Sequence, residues 1–280
     1  MKAQDNSQFL QRLMQSLGPD EGRAVYREIC REMNPAAGIS NNDHFLEAGI
    51  PEERMEELVS GIERGFPLQY LFGKAHFMGL ELAVNPSVLI PRPETEELVD
   101  IILRSGKPDG KMILDLCTGS GCIALALAAS ANFERVEGLD VSPEALETAH
   151  LNARKTGAPV SFFHFDLLKD SFHEEAIWDI WVSNPPYVAA SESRDMDSRV
   201  LLHEPAIALF VPDNDALCFY RRILALSENH LQAKGEIFLE INPLFAPDLL
   251  ALFESCPWME SATLLPDMSA KQRFLYARKK

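Results

Sequence analysis

The chain has 280 residues, of which 26 are Lys or Arg and 42 are Asp or Glu, a formal net charge of −16. With 46% hydrophobic and 24% charged residues, the composition is that of a folded globular protein, one large domain or two ordinary ones, and excludes disordered, collagenous and membrane-embedded classes. The acid excess argues against a protein that grips naked nucleic acid through its phosphates, because that takes a concentrated Lys/Arg surface.

The first seventy or so residues read as helices separated by turns. Phe9, Leu10, Leu13 and Leu17 recur at helical spacing before Gly18-Pro19, and Val25, Ile29 and Met33 do so before Asn34-Pro35. Asn42-Asp43 precedes Phe45 and Leu46, and Pro51 opens a segment with Met55, Leu58, Val59 and Ile62 at helical spacing; proline in a first helical turn loses no useful donor. These stripes predict a small helical domain over 1–75. Phe77, Leu80, Leu82 and Val84, close to Gly79 and Asn85-Pro86, suit a hairpin or extended linker over 76–92.

A catalytic-type domain is expected over 93–280. A helix carrying Leu98, Val99, Ile102 and Leu103 leads into short apolar runs at Met112 to Leu116, Val136 to Leu139, Val160 to Phe165, Ile180 to Val182, Ile237 to Ile241 and Phe274 to Ala277. Segments of helical character, such as Ile123 to Ala129, Pro143 to Ala153 and Phe219 to Leu231, lie between them. Strand, helix, strand in series implies right-handed crossovers and an α/β fold with a largely parallel, doubly wound sheet.

In such a sheet the ligand crevice lies at the carboxyl ends of the strands. The first run ends in Asp115-Leu116-Cys117-Thr118-Gly119-Ser120-Gly121, a glycine turn that allows close backbone approach. It is neither a triphosphate loop with its lysine nor a full dinucleotide fingerprint, and alone it reads equally well as a tight structural turn. Asp140 closes the second run about 20 residues on, where a carboxylate accepts the hydroxyls of a ribose; as a helix cap it competes with Ser142. Asp166, with Leu167 beside it to cover an adenine ring, ends the third.

The fourth run delivers Ser183-Asn184-Pro185-Pro186-Tyr187 to the same crevice. The two prolines hold the backbone extended and remove two N–H donors, so the corner presents acceptors. The Asn184 side-chain carbonyl and the Pro185 backbone carbonyl suit both hydrogens of one planar NH2 group, with Tyr187 packing on the plane behind it. An amide or aromatic amine is a poor nucleophile because its lone pair is delocalised. Two acceptors favour the positive charge that develops on nitrogen during alkyl transfer, so no strong general base is needed; one of them is worth ~3–4 kcal/mol by analogy with oxyanion-hole deletions of opposite sign.

Together, D-L-C-T-G-S-G at 115–121 and N-P-P-Y at 184–187 resemble the class I S-adenosylmethionine-dependent methyltransferases that modify planar nitrogens. Pro67-Leu68-Gln69-Tyr70-Leu71-Phe72-Gly73 and Leu89-Ile90-Pro91-Arg92-Pro93-Glu94-Thr95-Glu96-Glu97-Leu98-Val99, with His203-Glu204-Pro205, Ala208-Leu209 and Arg273, narrow the resemblance to the HemK-type peptide chain release factor glutamine N5-methyltransferases. It spans nearly the whole chain and is strongest from about Pro67 to Tyr187. The resemblance implies a Rossmann-like domain with a mostly parallel seven-stranded sheet, S-adenosyl-L-methionine as cofactor and S-adenosyl-L-homocysteine as product. It implies that Cys117, Thr118, Gly119, Ser120, Gly121, Asp140, Asp166, Leu167 and Asn184 form the cofactor site. Asn184, Pro185, Pro186 and Tyr187 would hold the glutamine of a Gly-Gly-Gln loop in a release factor, with Asn184, Pro185 and Tyr187 carrying the chemistry. The helical domain would grip that partner, and Arg92 to Glu96 would close over the crevice.

Two departures stand out: Cys117 occupies a position usually glycine in this turn, so its side chain is expected to point away from the cofactor, and Pro212 to Leu217 lacks the glycines often found there. The alternatives are an N6-adenine methyltransferase acting on nucleic acid, since the same corner suits a flipped-out base, and a catalytically silent module that binds a translation factor. Five scattered cysteines without a C-x-x-C pair or nearby His partners predict reduced thiols and no metal. The longest small apolar run, Cys122 to Ala129, is far short of the roughly 20 residues of a membrane span, so a cytoplasmic protein without membrane or nucleic-acid partners is expected.

Overall fold

A computed structural model describes residues 3–33, 50–105 and 109–280; Asn42-Asp43, Phe45 and Leu46 lie outside the described residues. The apolar stripes at the start of the chain become α1 (Ala3–Leu17), α2 (Pro19–Met33) and α3 (Glu52–Glu63), followed by the short α4 (Leu68–Phe72). Their seam buries Leu13, Ile29, Leu58 and Val59 completely, with Phe9, Tyr26, Met55 and Ile62 around them. Arg12 bridges from α1 to α3 by pairing with Glu56 at 2.6 Å and Glu63 at 2.7 Å.

A hairpin of β1 (Lys74–Phe77) and β2 (Leu80–Ala83) follows, then α5 (Pro93–Arg104) with proline in its first turn. The alternation read from the apolar runs forms β3 (Met112–Leu116), α6 (Cys122–Ser130), β4 (Arg135–Asp140), α7 (Pro143–Thr156), β5 (Val160–His164) and β6 (Trp178–Ser183). The bounds of α7 follow from its ends. Ser142 Oγ accepts from the Ala145 N–H, Pro143 opens the first turn, and Gly157 closes the helix at φ +70°. Ser142 therefore fills the capping role and leaves the Asp140 carboxylate to other partners. After a two-residue pairing of β7 (Val188–Ala189) with β8 (Phe210–Val211), with α8 (Ser198–His203) between them, come α9 (Cys218–His230), β9 (Leu231–Glu240), α10 (Ala246–Glu254), β10 (Met259–Pro266) and β11 (Gln272–Lys279).

Seven of these strands form one sheet in the order β10-β11-β9-β6-β3-β4-β5. Strands β9, β6, β3, β4 and β5 are mutually parallel, and β11 runs antiparallel to both β9 and β10. Alternate residues serve opposite faces. Leu114, Trp181, Ile237 and Leu239 pack in one core with α9 and α10, while Ile113, Ile180, Val182 and Phe238 pack in another with α5, α6 and α7. The seventh strand, β10, was not among the six apolar runs. Its sequence, Met-Glu-Ser-Ala-Thr-Leu-Leu-Pro, has three polar residues among its first five because the strand sits at the sheet edge with much of its surface exposed.

By contacts the chain divides into two compact units. One comprises the described residues of 1–72 together with α8, and the other 73–197 with 204–280.

Candidate active site

Successive strands step outward from β3 in one direction through β4 and β5 and in the other through β6 and β9, so the order reverses between β3 and β6. Loops diverge there and leave a crevice at the carboxyl edge. A cavity of about 320 Å³ occupies this edge, lined by Thr118 to Ser120 after β3, Asp140 at the end of β4, Asp166 and Leu167 after β5, and Asn184 after β6. That volume lies in the range of small-molecule sites.

The turn after β3 is built for close approach. Cys117, Gly119 and Gly121 all take the left-handed region, at φ +61°, +56° and +81°. The Gly119 N–H donates to Asp140 Oδ2 at 2.8 Å, and the Ser142 N–H donates to Asp140 Oδ1 at 2.9 Å. Each carboxylate oxygen keeps a lone pair for a further donor. A Cβ on Gly119 would meet no atom within 4 Å, whereas one on Gly121 would lie 2.8 Å from Phe162 Cζ. The first glycine thus opens cavity space and the second permits packing, which is why Gly121 stands outside the cavity lining.

Behind the turn, Asp115 is fully buried. Its Oδ2 accepts from Thr118 Oγ1 at 2.6 Å and from the Ala124 N–H at 3.3 Å, which ties the turn to the start of α6. Burial outweighs these donors and pushes the carboxyl up to about 7. Burial also raises Asp140, against the opposing pull of the Ser142 and Gly119 N–H groups. Cys117 lines the cavity, and desolvation holds its thiol well above the ordinary range.

Beyond β5, Asp166 lies two residues past the strand, in a turn closed by the Leu168 N–H on its Oδ1 at 3.1 Å and by Lys169 Nζ on its Oδ2 at 2.7 Å. The lysine holds this carboxyl below its usual value. Leu167 is buried beside it.

At the end of β6, the Ser183 hydroxyl donates to the Leu116 carbonyl and locks the two central strand ends together. Asn184 Nδ2 donates to Thr95 Oγ1 at 3.1 Å, and Thr95 Oγ1 donates to Glu240 Oε2 at 2.7 Å. The Tyr187 hydroxyl donates to Glu240 Oε1 at 3.0 Å, and Tyr220 donates to the Glu240 backbone carbonyl at 3.0 Å. Glu240 is 2% exposed; burial raises its carboxyl, opposed by Thr95, Tyr187 and the Arg273 guanidinium. Burial and the facing Glu240 charge also push the Tyr187 phenol up. Pro186 lines the cavity with Asn184, while Pro185 and Tyr187 lie outside its described lining. The tyrosine ring is anchored by its hydroxyl to Glu240.

Four residues of this machinery escaped the motif reading. Thr95 lies in the first turn of α5, inside the Arg92 to Glu96 stretch that the resemblance implies closes over the crevice, with no role of its own legible there. Glu240 is an acid inside the apolar run of β9, which was the available signal. Glu204, in His203-Glu204-Pro205, accepts from the Ile90 N–H at 3.1 Å and from Arg92 at 2.6 Å, tying down a loop whose Val88, Leu89, Pro91 and Arg92 line the cavity. Asn152 looked like one polar residue in an amphipathic helix. It is fully buried and donates to the carbonyls of Ser120 at 2.9 Å and Ala83 at 3.0 Å, while accepting from the Ala83 N–H at 2.6 Å. Among the described residues no group of His, Cys, Asp and Glu is placed to hold a metal ion, and no helix is long and apolar enough to cross a membrane.

A family model described as the methyltransferase small domain matches residues 95–211. The chain is 36% identical over 263 residues to a release factor glutamine methyltransferase of Bacteroides thetaiotaomicron, covering 93% of this chain and 94% of that protein. It is 39% identical over 263 residues to one of Lactococcus lactis, with 92% and 93% covered. Among solved structures, a methyltransferase from Pyrococcus furiosus matches with a TM-score of 0.52 at 17% identity, over 72% of this chain and 89% of that one. This likeness shows a shared Rossmann-like fold.

Proposed function

The chain belongs to the release factor glutamine methyltransferase family, and from that premise we propose that it methylates the side-chain amide nitrogen of the glutamine in a release factor's Gly-Gly-Gln loop, with S-adenosyl-L-methionine as methyl donor. The observation that carries this reading is that Gly119, Asp140 and Asn184, from three different strand ends, line one cavity.

The residues present fit the cofactor. Gly119 leaves open the space that a Cβ would fill. Asp140, anchored by two N–H groups, retains acceptor capacity for ribose hydroxyls. Leu167 and Phe165 give an apolar wall beside Asp166, suited to a purine. When bound, S-adenosyl-L-methionine supplies an electrophilic methyl group on a sulfonium centre.

The chain's own part is to bind and orient the acceptor amide. Asn184 Oδ1 and the Pro185 carbonyl accept its two N–H groups, because the two prolines leave this corner without competing donors. Those contacts strengthen as positive charge grows on nitrogen, which is how an uncharged site favours the transition state over the ground state. The helical unit is assigned to recognition of the release factor.

The test is transfer of labelled methyl onto a purified release factor, followed by mass spectrometry of the tryptic peptide that carries the loop. Asn184→Ala should lower the rate by about 100-fold or more, in line with loss of one transition-state hydrogen bond, while leaving S-adenosyl-L-homocysteine binding measurable by calorimetry. Methylation of DNA or RNA in place of the release factor, or a variant as active as wild type, would overturn the reading.

A further inference from the structure

Asn184 is useful to a substrate amide only if its carbonyl, and not its NH2, faces the cavity. An asparagine amide is nearly symmetric in shape, so packing alone does not choose between the two orientations. A hydrogen-bond chain does choose. Both oxygens of Glu240 receive hydroxyl donors, Thr95 at 2.7 Å and Tyr187 at 3.0 Å, which is the pattern of an ionised, acceptor-only carboxylate. A threonine hydroxyl carries one proton. With that proton committed to Glu240, the Thr95 oxygen can only accept from its other neighbour, so Asn184 must turn its NH2 toward Thr95, the 3.1 Å contact observed. Asn184 Oδ1 is the polar atom left for the cavity that the residue lines.

We infer that Thr95 and Glu240 are positioning residues for the methyl-acceptor site, and that the direction of the Glu240–Thr95–Asn184 hydrogen-bond chain makes the Asn184 corner an acceptor selective for an NH2 group. This rests on the reading of Asn184 as the group that receives the substrate amide. Three elements supply the chain, α5, β9 and the residue after β6, so the corner's polarity is set where these elements meet. Thr95 and Glu240 are each 2% exposed, and Thr95 borders the cavity beside Asn184, so losing one member leaves a buried polar partner without its hydrogen bond. Tyr187 completes the arrangement by occupying the second carboxylate oxygen, which keeps Glu240 from turning away from Thr95.

The variants that test this are Thr95→Val, which keeps the shape and removes the hydroxyl, and Thr95→Ser, which restores it. Thr95→Val should lower kcat for release-factor methylation by about 10- to 100-fold, with KM for the release factor and the calorimetric Kd for S-adenosyl-L-homocysteine each within about threefold of wild type; Thr95→Ser should recover most of kcat. A second readout needs no release factor. In protein labelled with 15N-asparagine, the Asn184 side-chain NH2 should give two dispersed, exchange-protected proton resonances in wild type and Thr95→Ser, and lose that protection in Thr95→Val.

If wild type transfers no methyl to any release factor, the proposed function falls, and the amide resonances still decide the positioning. An undiminished kcat in Thr95→Val, an equal loss in Thr95→Ser, or an Asn184 amide unchanged by Thr95→Val would each overturn the inference. So would a loss of S-adenosyl-L-homocysteine affinity matching the loss of rate, since Thr95 would then serve the cofactor instead.

Discussion

Gly119 and Gly121 sit two residues apart in one turn, both in left-handed backbone, yet they should fail differently when replaced by alanine. The strain of placing an L-residue there is ~1–2 kcal/mol in either case. At Gly119 nothing adds to it, because the new methyl meets no atom within 4 Å. At Gly121 the methyl meets Phe162 Cζ at 2.8 Å, Leu125 Cδ1 at 3.2 Å and Ala149 Cβ at 3.3 Å. Phe162 cannot swing clear: it is 5% exposed and packs edge-on against His150, with ring centroids 5.6 Å apart. Overpacking of this kind adds ~1–3 kcal/mol, for a total of roughly 2–5 kcal/mol. At ~2–4 °C per kcal/mol for a unit of about 200 residues, Gly119→Ala should lower Tm by a few degrees and Gly121→Ala by roughly 10 °C. Cofactor affinity should rank the other way. The Gly119 methyl enters the cavity and should weaken S-adenosyl-L-homocysteine binding about tenfold, near 1.4 kcal/mol, while Gly121→Ala, measured well below its Tm, should stay within about threefold. Urea denaturation and isothermal calorimetry on the same preparations give both rankings. Equal stability losses, or wild-type affinity in Gly119→Ala, would refute the division of labour within the turn.

Other consequences follow from the buried polar groups around the turn. The folded Asp115 carboxyl keeps its proton up to about pH 7, whereas in the unfolded chain it ionises near its ordinary value, so the folded state binds more protons between these points. Stability should therefore fall as pH rises across that window, by up to ~4 kcal/mol, and Asp115→Asn should flatten urea-denaturation stability measured between pH 4 and pH 7; an unchanged slope would assign the dependence to other groups. Asn152→Ala strands one N–H and two carbonyls and should cost ~3 kcal/mol in the same assay, a loss under 1 kcal/mol meaning that solvent replaces its contacts. Burial pushes the Cys122 thiol up to about 12 and Cys117 well above its ordinary value, so neither should react with iodoacetamide at pH 8 in the folded protein, as judged by peptide mapping, and both should react in urea. Rapid labelling of either in the native state would show that its thiolate forms near pH 8, against the raised thiol.

The sequence by itself determined the helical stripes, the alternation of apolar runs with amphipathic segments, and the order in which Gly119, Asp140 and Asn184 arrive at the ends of strands. These are legible because hydrophobic period and turn chemistry are local. Only the tertiary structure decided which strand ends become neighbours, because strand order in a sheet is set by packing and crossover, not by adjacency in sequence. It also decided that Asp166 sits two residues past its strand and that Gly121 serves packing against Phe162. Thr95, Glu204 and Glu240 stand 89, 20 and 56 residues from Asn184 in sequence, and Thr95 and Glu240 meet only because α5 and β9 converge on the end of β6. A hydrogen bond is specified by angle and distance in space, and no pattern along one chain encodes which distant carboxylate will give an asparagine its direction.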